Sequence, residues 1–156
     1  MIVWRLSPPA FAHELTGEGN RIVGARWNSP GRGVVYTCAH LSLCVLETYV
    51  HIPPEQRLSL PDFEAVCLGI PDDAGMTEVA LAELEHLLSA PNAEVACRAR
   101  GDRWLASGSD LVLVAPSVVV PEEANLMLNP GHPRMRDVAV LSSRRFRFDP
   151  RLSPIR

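Results

Sequence analysis

The stretch Gly33–Pro54, GVVYTCAHLSLCVLETYVHIPP, joins two apolar elements of different period. Val34 to Cys38 carries β-branched and aromatic residues straight after a glycine-rich turn, which predicts a strand. His40 to Ile52 places Leu43, Leu46 and Val50 on one helical face with Leu41 and Cys44 beside them, and Pro53-Pro54 stops it. A strand feeding directly into an apolar helix predicts a mixed α+β domain. Glu47 is the one acid on that helix. A helix apolar almost all round is a buried one, so Glu47 is expected to be partly enclosed.

Working outward, the segment before it, GARWNSPGRG (Gly24–Gly33), crowds Arg26, Trp27, Asn28 and Arg32 around Ser29, Pro30, Gly31 and Gly33. It reads as the turn of a hairpin, with Arg26 and Tyr36 flanking it on paired strands. The backbone around Gly31 and Gly33 could form an anion-binding nest. Trp27 reads as core packing and Arg32 as a solvent residue at the tip.

Further strands are expected at Ile2–Leu6, Phe63–Ile70 and Leu111–Val114, with Val118–Val120 continuing or pairing beside the last. Val138–Leu141 and Arg145–Phe148 read as two final strands. Thr77 is a candidate N-cap for a helix through Leu88, with Glu78, Glu83 and Glu85 on its solvated face. Asn92 caps a helix over Ala93–Arg100 that Gly101-Asp102 breaks. Thr16–Asn20 and Asn125–Pro133 read as loops. The expected fold is one compact α+β domain over residues 1–156, with a split, mostly antiparallel β core and peripheral helices.

The 156 residues suffice for one domain with a real core. The chain is 47% hydrophobic, and no apolar run reaches the ~18 residues of a membrane span. No signal peptide is visible, so the cytoplasm is the expected compartment. Net charge is −3, which disfavours direct nucleic-acid binding. All fifteen basic residues are arginine, whose planar fork suits bidentate phosphate contacts. Cys38, Cys44, Cys67 and Cys97 form no CxxC and sit in apolar stretches, which predicts reduced core residues. No His/Cys pair has zinc-ligand spacing, so no metal is expected.

There is no GxGxxG, Walker loop, HExxH or GxSxG. What remains is a scatter of polar residues at element ends: Arg5, Arg26, Asn28, Tyr36, Glu47, Ser117, Asn125 and Asn129. Arg26, Tyr36 and Glu47 lie in or beside apolar elements, where an unpaired polar group is costly. Read as structure, Arg26 salt-bridges Glu47, Tyr36 points its hydroxyl to the surface, Ser117 is a turn residue and the asparagines form Asx turns. Read as function, they make one cluster.

Trp4-Arg5, GARWNSPG with VVYT after it, LSLCVLETYVH, DRWL (Asp102–Leu105), APS (Ala115–Ser117), EANLMLNPGHP (Glu123–Pro133) and FDPRL (Phe148–Leu152) follow one another in the order of a known family. The sequence resembles the RES-domain toxins of bacterial toxin–antitoxin pairs over nearly its whole length. The resemblance implies an ADP-ribosyltransferase-like fold and consumption of NAD+, by hydrolysis, phosphorolysis or transfer of ADP-ribose to a protein. It implies neutralisation by a cognate DNA-binding antitoxin of Xre type. The family's Arg, Tyr, Glu and Ser positions fall on Arg26, Tyr36, Glu47 and Ser117.

Those residues suit the chemistry. Loss of nicotinamide leaves positive charge on the ribose, which the Glu47 carboxylate would stabilise. Arg26, then Arg5, would bind the diphosphate. Tyr36 would stack on the nicotinamide. Ser117 would hydrogen-bond the nicotinamide ribose or amide, with Asn28 and Asn125 as further binding residues. His51 and His132 are expected to have surface or capping roles. The alternative is a non-catalytic module that holds a nucleotide or a partner protein. For the antitoxin, the acidic helix face at Glu83 and Glu85 is the expected contact.

Overall fold

A computed structural model describes residues 1–152. Seven strands form one sheet: β1 (Ile2–Ser7), β2 (Val35–Cys38), β3 (Phe63–Gly69), β4 (Met76–Glu78), β5 (Val112–Pro116), β6 (Ala124–Leu128) and β7 (Ala139–Phe146). Their spatial order is β4-β5-β6-β2-β1-β3-β7. Every pairing is antiparallel except that of β4 with β5. β1 runs alongside β3 over its whole length but meets β2 where Trp4 lies opposite Cys38. The sheet therefore splays at that point while remaining one seven-stranded sheet. The α+β class and mostly antiparallel sheet agree with the sequence reading.

β2, β5 and β6 are buried on both faces, which explains their unbroken apolar runs. Val35, Val112, Leu126 and Leu128 join Val3, Val66 and Leu68 in one core. Their alternates Val34, Leu113 and Met127 join Trp27, Cys97 and Trp104 in a second. Helices α3 (Leu81–Leu88) and α4 (Ala93–Ser107) cover this second face over β5. α2 (Leu41–His51) covers the same face over β1 and β2, through Leu43 and Cys44 against Trp4, Leu6 and Cys38. Between α2 and α4 the floor is β2, and there the molecule is open.

Several local expectations are corrected. Leu46 and Val50 are exposed, so α2 is buried along one side and not all round; Glu47 is partly enclosed as expected. Asn20 lies in a short helix, α1 (Glu18–Val23). Thr77 caps nothing: it sits in β4 opposite Leu113 and donates to Asp110 Oδ2 at 2.6 Å, and α3 starts after Ala80. Asn92 does cap α4, accepting from the Val95 N–H at 3.1 Å. Gly101 does not break α4, because the missing side chain is what lets the helix press on Trp27; a Cβ there would lie 1.9 Å from the Trp27 carbonyl oxygen. Asn125 begins no loop but pairs with Cys38 inside β6. Val118–Val120 forms no strand, since the chain turns around the Ser117 hydroxyl. The two final strands are one, β7, which bulges against β3 between Cys67 and Leu68. All four cysteines are free and buried. No helix among the described residues is long and apolar enough to cross a membrane.

Candidate functional site

The Gly24–Gly33 segment is not a hairpin. Ala25 and Asn28 close a small bridge on themselves, with the Ala25 N–H on the Asn28 carbonyl at 3.0 Å. Long-range contacts hold it: Trp27 against Gly101, and the Ser29 N–H on Asp102 Oδ1 at 3.1 Å. The Gly31 N–H is spent on the Arg21 carbonyl at 2.7 Å and the Arg32 N–H on the Ser29 carbonyl at 3.2 Å, which removes two donors from the expected nest. Arg32 is not a plain solvent residue either; its Nε lies 3.6 Å from Asp102.

This segment forms one wall of a cleft of about 800 Å³. β2 supplies the floor through Tyr36, Thr37 and Cys38. α2 supplies the opposite wall through Cys44, Glu47, Thr48 and His51, the i, i+3, i+4, i+7 positions of one helical face. The first turns of α4 close the rim through Ala93, Glu94 and Arg98. His51 therefore lines the cleft, which its terminal position on an apolar helix did not suggest.

Glu47 is held by a network. Its Oε1 accepts from Ser117 Oγ and from Asn125 Nδ2, both at 2.7 Å. Ser117 Oγ in turn accepts the N–H groups of Val119 and Val120, each at 3.0 Å. With its acceptor positions filled, the hydroxyl proton is committed to Glu47. Asn125 Oδ1 accepts from the Cys38 thiol at 3.2 Å, which orients the amide. Glu47 Oε2 has no hydrogen-bond partner among the described residues. One oxygen is anchored and the other is available to the cleft.

Tyr36 is locked by its hydroxyl, which accepts the Trp27 N–H at 3.0 Å and donates to Asn28 Oδ1 at 2.9 Å. Its ring lines the cleft. Burial pushes its phenol above the ordinary range, against the pull of the Trp27 N–H and of the Arg26 and Arg98 charges. It stays protonated at neutral pH and does not act as a base. Asn28 is fully buried; its amide donates to the Asn20 and Arg32 carbonyls at 2.9 and 2.8 Å. Both side-chain ends of Asn28, expected as a binding group, are spent inside the fold, where its Oδ1 holds Tyr36. Ser117, equally buried, likewise spends its hydroxyl inside the fold, on Glu47.

Arg26 is exposed in the cleft and makes no ion pair among the described residues, so the expected structural pairing with Glu47 is absent. Its charge acts on Cys97, whose thiol is pushed up by burial and drawn back by Arg26. Arg5 lies apart. Its guanidinium donates to the Glu14 carbonyl in a second hollow of about 370 Å³, which meets the main cleft at Leu6, Asn20 and Tyr36. Burial lowers the Arg5 pKa, opposed by Glu14. Asn129 makes the expected loop contact, accepting the Gly131 N–H at 3.0 Å. His132 caps the turn at Pro133 through the Arg134 N–H. No group of His, Cys, Asp and Glu among the described residues could hold a metal ion.

Cys38 carries no nucleophile. Its thiol is pushed up by hydrogen bonding with Cys44, by burial, and by the charges of Glu47 and Glu123. Arg98 went unnoticed in the sequence. Its signal was its i, i+4 spacing from Glu94 on a capped helix, but which face of that helix meets the cleft depends on Gly101 packing against Trp27.

A family model described as RES domain matches residues 2–149. The Prs ADP-ribosylating toxin of Sphingobium sp. (strain YBL2) is 34% identical over 155 residues, covering 96% of this chain and 94% of that protein. The Toxin Res of Yersinia enterocolitica serotype O:8 is 37% identical over 154 residues, covering 97% and 99%. In a crystal structure of the M. tuberculosis MbcT-MbcA toxin–antitoxin complex, one chain superposes with a TM-score of 0.71 at 16% identity, covering 93% of this chain and 83% of that one. That likeness is one of fold.

Proposed function

The chain belongs to the RES-domain family, and from that premise we propose that it is the toxin of a toxin–antitoxin pair, an enzyme that cleaves NAD+ and passes ADP-ribose to an acceptor. The observation that carries the reading is Glu47 itself. It is a carboxylate on a cleft wall, anchored through one oxygen and, among the described residues, unpaired at the other, with an arginine in the same cleft that makes no ion pair with any of them.

The bond that breaks joins the nicotinamide nitrogen to ribose C1′. Nicotinamide leaves neutral with the electron pair, and positive charge develops at C1′ and the ring oxygen. Glu47 Oε2 would face that charge or accept from a ribose hydroxyl. Its anchoring by Ser117 and Asn125 means little reorganisation accompanies the reaction. The acceptor oxygen or nitrogen then bonds to C1′ and gives up its proton. Arg26 would bind the diphosphate and the Tyr36 ring would stack on the nicotinamide. Asn125 and Ser117 serve as positioning groups for Glu47. Arg5 stands at the neighbouring hollow and would contribute to a ligand that extends past Tyr36.

The acceptor is a protein side chain, water or phosphate; the Sphingobium relative's name says ADP-ribosylating, which favours a protein. An antitoxin, of Xre type on the family's pattern, would cover the cleft, and the cytoplasmic NAD+ pool is where the pair would act. The acidic face of α3 is a weaker docking candidate than its composition suggests, since Glu83 is already paired with Arg100 at 2.6 Å.

The test is nicotinamide release from NAD+ by the wild type and by Glu47→Ala. Release that falls by about a hundredfold or more in the variant is expected for loss of a charge-stabilising group. An equal rate in both ends the assignment of Glu47. Binding of NAD+ by the wild type without any release returns the chain to a non-catalytic binding module.

A further inference from the structure

Two charges have to be met on a dinucleotide diphosphate, and Arg26 supplies one. A second arginine lines the same mouth. Arg98, on the second turn of α4, has its Nε anchored on the Ala25 carbonyl at 3.0 Å, next to Arg26 in the chain. That bond fixes the guanidinium plane against the Gly24–Trp27 wall. Arg26, Arg98 and Tyr36 all line the same cleft. The first turn of α4, with its positive dipole end, lines the rim beside them.

Arg98 differs from Arg26 in having a partner. Its terminal nitrogen lies 2.7 Å from Glu94 Oε1, one helical turn earlier. Glu94 is 62% exposed and Arg98 26% exposed. The arginine is held in place by backbone while the glutamate stands free in water, a pairing of little strength. A ligand phosphate is a geometric match for the terminal nitrogen that Glu94 now occupies.

We propose that Arg98 is the second diphosphate-binding arginine of the cleft, and that Glu94 is a competing anion that the substrate displaces from it. The proposal rests on the NAD+ reading for the identity of the ligand. Its chemistry requires a diphosphate ester, not the nicotinamide bond. Glu94 therefore tunes affinity downward, and anionic molecules smaller than a diphosphate have to displace it with fewer contacts in return.

The experiment measures binding of ADP-ribose, which has the diphosphate and lacks the scissile bond, by calorimetry on the wild type, Arg98→Gln and Glu94→Gln. Thermal melts check that each variant is folded. Loss of a charge-assisted contact at a half-open site predicts a Kd for ADP-ribose raised about tenfold in Arg98→Gln. Glu94→Gln should bind about two- to threefold tighter, since the competing charge is gone. In nicotinamide release, Arg98→Gln should raise KM with kcat within about twofold, the pattern of uniform binding.

The opposite signs are the discriminating feature. If the pair only braces α4, both variants weaken binding together, and the proposal is overturned. Unchanged binding in Arg98→Gln overturns it as well. Should the wild type bind ADP-ribose yet release no nicotinamide, with the two variants still moving in opposite directions, the catalytic reading falls and the Arg98 assignment stands.

Discussion

The two walls of the cleft are built in opposite ways. On the α2 side, Glu47, Ser117, Asn125 and Cys38 form a network in which Ser117 is fully buried and Glu47 Oε1, Ser117 Oγ and Asn125 Oδ1 are each met by a donor. On the other side, Arg26 is exposed and makes no ion pair among the described residues, and Arg98 holds a solvent-facing glutamate. The difference follows the chemistry each wall would serve. Charge that develops at a reacting carbon rewards groups already fixed in place, because they need no reorganisation. A diphosphate arrives carrying its charge, so the groups that meet it can remain hydrated until it does. One wall is therefore sensitive to single-atom changes, and the other to changes in field.

The sharpest way to break this contrast is Ser117→Ala. It removes one of the two bonds to Glu47 Oε1 and leaves the Val119 and Val120 N–H groups without their acceptor. A drop in kcat of about ten- to a hundredfold is expected, with KM for NAD+ within about twofold, since the lost contact orients a transition-state group. Steady-state nicotinamide release reads both constants. A rise in KM with kcat intact would mean Ser117 touches substrate, as the family resemblance implies.

Gly101→Ala tests the other wall through its support. The added methyl would sit 1.9 Å from backbone at Trp27, which cannot swing away as a side chain could. Overpacking of this kind costs about 1–3 kcal/mol. The Gly24–Trp27 segment should shift, raising KM for NAD+ while Glu47 and its network stay in place. A chemical-denaturation midpoint together with the kcat and KM pair checks it; a variant as stable as the wild type would show that α4 does not press on Trp27.

What the sequence could reveal divides along the same line. Val34–Ile52 was legible because strand and helix are both local patterns, and Glu47 stood out as the one acid on an apolar helix. The Gly24–Gly33 segment misled because its glycines and proline have a hairpin's composition, while its shape is set by Gly101 and Asp102, more than seventy residues away in the chain. Asn125 looked like a loop residue because β6 is buried on both faces and ends in Asn129-Pro130, with no alternation to mark it. The resemblance pointed to Ser117 as a group for the ligand, whereas its hydroxyl is spent on Glu47. Whether Ser117 meets a ligand or Glu47 depends on how far β5 carries it under α2, which no local pattern encodes.

A smaller effect is expected where the two walls share a floor. Burial raises the Tyr36 phenol above its ordinary value of 10.0. A group whose folded pKa lies above the unfolded one stabilises the fold at pH values below the unfolded pKa, and that contribution is lost as pH rises further. Stability should therefore fall above about pH 10 as the unfolded chain gives up the proton first. Tyr36→Phe should remove that part of the slope while costing about 1 kcal/mol at neutral pH for the bonds to Trp27 and Asn28. Melting temperature against pH for both proteins decides it; identical slopes would place the alkaline sensitivity elsewhere.

The smallest change is Cys38→Ser. Cys38 is the residue that joins the splayed sheet, opposite Trp4 on one side and Asn125 on the other, and its thiol donates to the Asn125 amide. A serine hydroxyl is also a donor, so the amide keeps its orientation and Glu47 keeps its second anchor. With the thiol pushed up and protonated at neutral pH, no nucleophile is removed. Nicotinamide release should stay within about twofold of wild type, while Cys38→Ala, which lacks the donor, should lose several-fold in kcat, on the scale of about one neutral hydrogen bond. A serine variant as impaired as the alanine one would show that the sulfur's size at the sheet junction, and not its proton, holds the network in place.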